Sequence, residues 1–387
     1  MLKILVDENI PAAELCFGAL GDVILRPGRN LDPAEVRDAD VLVVRSVTRV
    51  NRDLLEGSRV RFVGTCTIGV DHVDLAYLRQ QNIAFASAPG CNARAVAEYV
   101  MAALLELESI RDFQLAGKSL GIVGLGNVGS RLKSLAEAMN LHVLACDPPL
   151  QAAGKDGLVS PDEVWQADIV SLHVPYETGG AFPTQYLGDY QRLKNMVPDA
   201  VLINTSRGPV VDNRALSNVL NERFDLAAVL DVWEGEPLVN RELASQVDIA
   251  TPHIAGYSHD GKVRGTHMIY QQLCQFLQQP APLREEDLIP VDLNLTLDFS
   301  DQHTDDPATA REVLRKVYDI SEDDLGLRAS LQLEREQRGE GFDALRRHYR
   351  VRREFGTVQV RGGDYLAGQL RPGEMARLRA LGFAILP

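Results

Sequence analysis

The sequence predicts an α/β protein built on parallel sheets, in which one doubly wound domain interrupts another and a smaller α+β unit closes the chain. Three observations carry that expectation. Short apolar runs alternate with helix-length stretches from residue 2 onward, as buried parallel strands and their crossover helices do. A second series of the same kind starts at Ser119, behind a long helical stretch. After residue 280 the composition turns to Pro, Asp and Leu and the alternation stops, as in an extended connector.

In the first series, residues 2–6, 23–25, 41–44, 62–63 and 83–86 read as strands. Residues 93–111 contain neither Gly nor Pro and set Val96, Tyr99, Val100, Ala103, Leu104 and Leu107 on one stripe, which predicts a long helix closing the first unit. The second series offers strands near 119–123, 141–146, 168–174, 200–204, 227–231 and 248–251, the six of a doubly wound nucleotide-binding domain. The helical run 263–277 has no strand after it and is expected to return to the first domain. The expected domains are therefore 1–92 with 257–283, 93–256, and 284–387. In the last, a connector over 280–307 leads to helices from 308–318, a charged helix over 331–355, a strand at 358–360, a helix at 373–381 and an apolar end at 383–386.

Bulk properties exclude several classes. With 387 residues and 45% of them hydrophobic, the chain has material for two or three cores. A net charge of −14 argues against a nucleic-acid binder, which needs a surplus of Lys and Arg. Cys16, Cys66, Cys91, Cys146 and Cys274 are scattered, without CxxC spacing, so neither a disulfide framework nor a metal site is expected. Acidic residues directly follow the first apolar run, and no stretch approaches the roughly 18 apolar residues of a membrane span. A cytoplasmic protein without membrane partners is expected.

Residues 120–123 run as an apolar strand into Gly124-Leu-Gly126-Asn127-Val128-Gly129, and a helix follows over 131–139. The first glycine allows the tight turn, the second lets backbone approach a pyrophosphate, and the third lets helix and strand pack closely. The next strand ends in Asp147, spaced to accept from the ribose hydroxyls and repel a 2′-phosphate, which favours NAD over NADP. Alternatively, Asp147 caps the chain before Pro148-Pro149.

Three further segments leave predicted strand ends, where ligands bind in open α/β sheets: Asn204-Thr205-Ser206-Arg207-Gly208, Asp231-Val-Trp-Glu234-Gly-Glu236-Pro237, and Thr251-Pro-His253-Ile-Ala-Gly256-Tyr257. Arg207 suits a carboxylate, His253 suits proton transfer, and Glu236 suits an acid that charges the imidazole. Asp231 suits either loop support or a contact to nicotinamide. His173 follows a buried strand and is expected to contribute backbone near the cofactor.

With an Arg-Gly, an Asp-x-aromatic-Glu-x-Glu-Pro and a Pro-His motif in this order, residues 40–260 resemble the D-2-hydroxyacid dehydrogenase family. The resemblance implies a Rossmann-like NAD-binding domain inserted in a flavodoxin-like substrate-binding domain, and a C-terminal α+β dimerisation domain. It implies Arg207, Glu236 and His253 as catalytic residues. The implied cofactor contacts are Gly124, Gly126, Asn127, Val128, Gly129, Asp147, Val174, Thr205, Ser206, Asp231 and Gly256, and the implied substrate contacts are Ser46, Thr67 and Tyr257. Of the two motif acids, Glu236 matches the one paired with histidine, and Glu234 is the weaker candidate.

The start of the chain and the segments 88–92 and 146–149 further resemble a branch of that family acting on a small phosphorylated hydroxyacid. Phosphoglycerate dehydrogenase, another D-2-hydroxyacid dehydrogenase, or a corepressor-like NAD sensor remain alternatives. Ser46 and Thr67 follow buried strands, with hydroxyls expected toward an interdomain cleft. The tract Arg346-Arg347-His-Tyr-Arg350-Val-Arg352-Arg353 is the densest positive charge. It reads either as a solvated helix face, with Asp343 reaching Arg346 or Arg347 and Glu354 reaching Arg350, or as a source of an arginine that enters a partner subunit's cleft.

Overall fold

The computed structural model describes residues 1–29, 31–300 and 309–387. The chain forms two compact units, one of residues 1–92 with 258–294, the other of 93–257 with 295–387.

The first unit is a five-stranded parallel sheet of β1 (Leu2–Asp7), β2 (Gly21–Arg26), β3 (Val41–Val44), β4 (Phe62–Thr65) and β5 (Ala84–Ser87). Its order is β2-β1-β3-β4-β5, the flavodoxin-like arrangement, which reverses direction between β1 and β3. The central strands β3 and β4 are buried along their whole length, as the all-valine-and-leucine run of β3 requires. The His259–Phe276 helix packs Val263, Ile269 and Leu273 into one face of this sheet. Ser258 caps it, its hydroxyl accepting from the Gly261 N–H.

The second unit carries a six-stranded parallel sheet: β6 (Ser119–Val123), β7 (His142–Cys146), β8 (Ile169–Leu172), β9 (Val201–Asn204), β10 (Ala227–Leu230) and β11 (Ile249–Ala250). The order β11-β10-β9-β8-β6-β7 places β7 and β8 on opposite sides of β6, so a crevice opens at the end of β6. All eleven strands expected from the two series are present, their ends displaced by at most two residues.

The Ala93–Ile110 helix departs from the expected stripe, because it is buried on nearly every side, including Ala97, Glu98, Met101 and Ala102. The cause lies in the C-terminal residues. Val313, Tyr318, Phe355, Leu366 and Leu378 share one core with this helix and the Asn127–Ala138 helix, so the face that would otherwise meet water is covered. Its large apolar residues Val96, Tyr99, Val100, Met101, Leu104, Leu105 and Leu107 gain on the order of 10–20 kcal/mol gross from burial. Differences of a few tenths in helix propensity are minor beside that.

Residues 295–387 therefore belong to the same compact unit as the six-stranded sheet. They hold a small parallel sheet of β12 (Thr296–Asp298), β13 (Gln359–Arg361) and β14 (Ala384–Ile385), and the Ile320–Ser330, Arg335–Arg347 and Glu374–Leu381 helices. β12 lies inside the stretch expected as a connector, where pairing with β13 supplies its order. Of that connector, residues 301–308 lie outside the described residues, as does the first residue of the helix expected from 308.

The charged helix expected over 331–355 is shorter. It ends at Arg347, and Arg352, Arg353 and Glu354 are buried rather than on a solvated face. The Arg352 guanidinium lies 4.0 Å from the Tyr318 ring centroid and donates to the Ala95 carbonyl at 2.5 Å. The Phe355 N–H donates to Glu98 at 3.0 Å. These contacts reach back more than 250 residues, beyond what helical spacing can register. Arg350 pairs with Asp323 at 2.5 Å and Glu322 at 3.5 Å in place of Glu354.

Candidate active site

Every segment singled out in the second series leaves the C-terminal end of a strand in one parallel sheet. The glycine turn follows β6, Asp147 follows β7, Val174 lies two residues beyond β8, Arg207 three beyond β9, Glu236 six beyond β10 and His253 three beyond β11. Parallel register, with Leu172 opposite Asn204, Asn204 opposite Leu230 and Leu230 opposite Ala250, holds these ends at one level.

The glycine turn is tight where the chain must close on itself and open where a ligand would approach. A side chain on Gly129 would stand 2.0 Å from the Gly124 carbonyl oxygen, and Gly124 itself has φ +92° with His173 and Val174 against it. At Gly126 nothing lies within 4 Å, and the twelve-residue Asn127–Ala138 helix begins there. An open backbone at a helix N-terminus fits a dinucleotide pyrophosphate. Asp147 spans the turn: one carboxylate oxygen accepts from the Leu125 N–H at 2.8 Å, the other from Leu150 at 3.0 Å. It therefore caps the Pro148–Ala152 helix, as the alternative reading expected, and each oxygen keeps acceptor capacity for a further donor. Behind the turn, burial pushes His173 down to about 3, so its ring is neutral, bonded to Ser171 at 2.8 Å and Thr205 at 3.2 Å. That fastens the β8 and β9 ends together.

The β9 turn is organised by Asn204, fully buried. Its side-chain oxygen accepts from the Ser206 N–H and hydroxyl at 3.1 and 2.8 Å, and its amide donates to the Arg207 carbonyl at 3.0 Å. Gly208 then lets this turn press on the next one, since a Cβ there would stand 2.1 Å from the Trp233 carbonyl. Arg207 and the Glu236 segment are thereby set side by side.

Glu236 is the acid on the histidine. Its Oε2 lies 2.8 Å from His253 Nδ1, and its Oε1 accepts from the Trp233 N–H at 2.9 Å. Burial alone would raise the Glu236 carboxyl, but the charge and hydrogen bond of His253, the Trp233 N–H and the charge of Arg346 outweigh it and hold the group below its ordinary range. Glu234 is engaged elsewhere, accepting from the Asn213 N–H at 3.0 Å and the Tyr186 hydroxyl at 2.9 Å.

His253 has φ +57°, a conformation that a non-glycine residue holds only where its surroundings impose it. Asp231 imposes it. Its carboxylate, 1% exposed, accepts from the Thr251 hydroxyl at 2.6 Å, the Ile254 N–H at 2.8 Å and the Ala255 N–H at 2.9 Å. Its carbonyl accepts from the His253 N–H at 2.8 Å. Thr251 also bonds Tyr99 at 2.7 Å and offers its carbonyl to the Trp233 indole at 3.0 Å. Of the two roles open to Asp231, loop support accounts for these bonds.

In the first unit, Ser46 is exposed and Thr67 half-buried at the ends of β3 and β4. Thr67 bonds the Thr65 hydroxyl at 2.8 Å, which bonds His72 at 3.0 Å. Arg45 donates to Asp7 at 3.0 Å. Lys262 is pushed down to about 8 by burial and by the charge of Arg45.

Sequence reasoning missed Asn204, Thr251, Lys262 and the proximity of Arg346. Asn204 and Thr251 had a signal, being polar residues at the ends of otherwise apolar strands. Arg346 stood in the densest basic tract, which marked its charge but not its neighbour, and Lys262 had no signal, since helical spacing does not say what a helix end faces.

Residues 92–255 match the model of the D-isomer specific 2-hydroxyacid dehydrogenase NAD-binding domain, and residues 288–377 match a domain of unknown function, DUF3410. The chain is 50% identical over 360 residues to an erythronate-4-phosphate dehydrogenase of Pseudomonas syringae pv. tomato, covering 93% of this chain and 94% of that one. To the enzyme of the same name from Azotobacter vinelandii it is 48% identical, covering 98% of each. Among solved structures, 3-phosphoglycerate dehydrogenase of Entamoeba histolytica with bound NAD+ superposes with TM-score 0.62 at 23% identity, over 72% of this chain and 95% of that one. D-lactate dehydrogenase of Aquifex aeolicus, complexed with NAD and lactic acid, gives 0.59 at 25% identity, over 71% and 95%. The Rossmann-type sheet with its NAD-binding turn and the histidine–carboxylate pair thus stand in a chain that belongs to the erythronate-4-phosphate dehydrogenase family of D-2-hydroxyacid dehydrogenases.

Proposed function

We propose that this chain oxidises 4-phospho-D-erythronate to (R)-3-hydroxy-2-oxo-4-phosphooxybutanoate, a step of pyridoxal 5′-phosphate (vitamin B6) biosynthesis. The observation that carries the reading is the His253–Glu236 pair at 2.8 Å, in a chain about half identical to relatives of that name over nearly their whole length.

NAD+, bound at the glycine turn, supplies the hydride acceptor at its nicotinamide. The Gly124, Gly126, Asn127, Val128 and Gly129 backbone takes the pyrophosphate and Asp147 the ribose. Val174, Thr205, Ser206, Asp231 and Gly256 serve the nicotinamide side. Arg207 grips the substrate carboxylate with its planar fork. His253 Nε2 takes the C2 hydroxyl proton as C2 gives up its hydride, so the alcohol loses one proton to the imidazole and one hydride to the nicotinamide and becomes the ketone. Glu236, held ionised, stabilises the imidazolium that results. Ser46, Thr67 and Tyr257 complete the substrate contacts, which makes the 1–92 and 258–294 unit the substrate-binding one.

The chain works as a homodimer through its C-terminal residues, in the cytoplasm. Among the described residues no helix is long and apolar enough to cross a membrane.

Nicotinamide reduction followed with 4-phosphoerythronate and 3-phosphoglycerate side by side tests the reading. Turnover of the first well above the second is expected. Preference for 3-phosphoglycerate, or no turnover of either, overturns it.

A further inference from the structure

We propose that Arg346, carried by the C-terminal region of the same chain, is the residue that binds the phosphate of the substrate and so sets the preference for a phosphorylated acid. The inference rests on the phosphohydroxyacid reading above and adds to it a residue outside the dehydrogenase motifs.

The Arg335–Arg347 helix lies against the loop that carries the catalytic acid. A Cβ on Gly339 would meet Pro237 and Leu238 side chains at 3.4 Å, and Pro237 directly follows Glu236. About two turns farther on, the Arg346 guanidinium stands 5.7 Å from the Tyr257 ring centroid and 5.8 Å from that of Phe342. Tyr257 is in turn braced edge-on by Tyr349, with ring centroids 5.6 Å apart. Two C-terminal residues thus hold the tyrosine expected to touch substrate, four positions beyond His253.

The charge and hydrogen bonding of Arg346 point to a ligand. Its Nε is buried without a hydrogen-bond partner, and a guanidinium N–H shut away from water without an acceptor costs more than any ordinary orphan. The acids near it are Glu236 and Asp343, and the Tyr257 hydroxyl also accepts from it. Burial disfavours its charge, but Tyr257, Glu236 and Asp343 together keep it firmly protonated. Glu236 is committed to His253 and Trp233, so it does not take the remaining donor. A fixed planar cation with an unused N–H, beside Tyr257 and close enough to Glu236 to influence its charge, matches a tetrahedral dianion at the far end of a four-carbon acid whose C2 faces His253. Arg347, next along the helix, is exposed and has no such setting. Arg346, one of the arginines of the basic tract, lies against its own chain's Tyr257.

The test compares Arg346→Gln, Arg346→Lys and Arg347→Gln in the full-length enzyme, with 4-phosphoerythronate, unphosphorylated erythronate and NAD as the varied ligands. Arg346→Gln is expected to raise KM for 4-phosphoerythronate about 10–100-fold, the range for losing a charge-assisted contact. KM values for erythronate and NAD should stay within about twofold of the parent, which also certifies the fold. Arg346→Lys should lie between, since it keeps the charge and loses the fork, and Arg347→Gln should match the parent. Equal increases for both acids, an increase in KM for NAD instead, or no change in Arg346→Gln overturns the proposal while leaving parent turnover intact. Failure of the parent enzyme to turn over 4-phosphoerythronate would instead overturn the functional reading and this proposal with it.

Discussion

Replacing Glu236 with Gln removes the charge of the carboxylate and reverses its hydrogen bond to His253. The Gln carbonyl still accepts from the Trp233 N–H, now 2.9 Å from Oε1, but the amide then donates to His253 Nδ1, now 2.8 Å from Oε2, and favours the tautomer with its proton on Nε2, so the loss is at least that of the charge alone. What disappears is a negative charge beside an imidazole that must become positive as it takes the substrate proton. The Glu236 and His253 side chains are 21% and 32% exposed, so solvent screens the pair only in part, and a charge-assisted hydrogen bond in such a place is worth about 1.5–3 kcal/mol. At about 1.4 kcal/mol per tenfold, kcat for oxidation should fall roughly 10–100-fold. The pH profile moves in a defined direction. Oxidation needs a neutral imidazole, and without the carboxylate the imidazolium forms less readily, so the acid limb of kcat/KM should shift to lower pH by about one to two units. In the reverse direction, which needs the protonated ring, activity should be lost at correspondingly lower pH. Glu236 itself is held below the ordinary carboxylate range, so it stays ionised through neutrality and adds no limb there. Steady-state NADH absorbance across pH 5–10 provides the assay. An acid limb that does not move, with kcat within twofold of the parent, would refute the role given to this carboxylate.

Four further outcomes follow from the same geometry. Gly129→Ala drives a methyl to 2.0 Å from the Gly124 carbonyl and should cost roughly 3 kcal/mol of stability together with NAD binding. Gly126→Ala, with nothing within 4 Å, should melt near the parent temperature yet lose NAD affinity in a calorimetric titration, and parent-like affinity would contradict the pyrophosphate assignment. Asp147→Ala removes acceptors for Leu125 and Leu150 and should lower stability by about 1–2 kcal/mol. It should also narrow the preference for NAD over NADP, read as the ratio of kcat/KM values. Asp231→Ala orphans the Ile254 and Ala255 N–H groups at about 1–3 kcal/mol each. Denaturant melts should show that loss, and kcat should collapse because the His253 loop is no longer held at φ +57°.

Much of the molecule was legible in the chain itself, and for local reasons. Parallel strands buried on both faces are mostly apolar, so Val41–Val44 and the run 201–203 announced themselves. The turn from Gly124 to Gly129 needs glycine where Cβ atoms would collide. Arg207, Glu236 and His253 each sit a few residues past a recognisable strand, so their common edge followed from the strand assignments. The alternatives left open at Asp147 and Asp231 were another matter. Each is a carboxylate at a strand end, and only the N–H groups it meets in space, Leu125 and Leu150 in one case, Ile254 and Ala255 in the other, show that it also holds the backbone around it.

The C-terminal third shows where local reading ends. Charge and helical spacing over 331–355 predict a solvated helix, whereas Arg352 lies over Tyr318 and the Phe355 N–H binds Glu98. Burial pushes Glu98 up to about 7 even with Arg94 beside it, a group no pattern in its own helix marks out. The sequence by itself determined the two parallel sheets, the dinucleotide turn and the order of Arg, Glu and His, because each depends on backbone periodicity or on residues within a few positions. Tertiary structure alone decided that Arg346 meets Tyr257 and that Asp231 holds the histidine loop. A side chain's charge and length are written in the sequence, but its partner is chosen by the packing of elements that can lie 257 residues away.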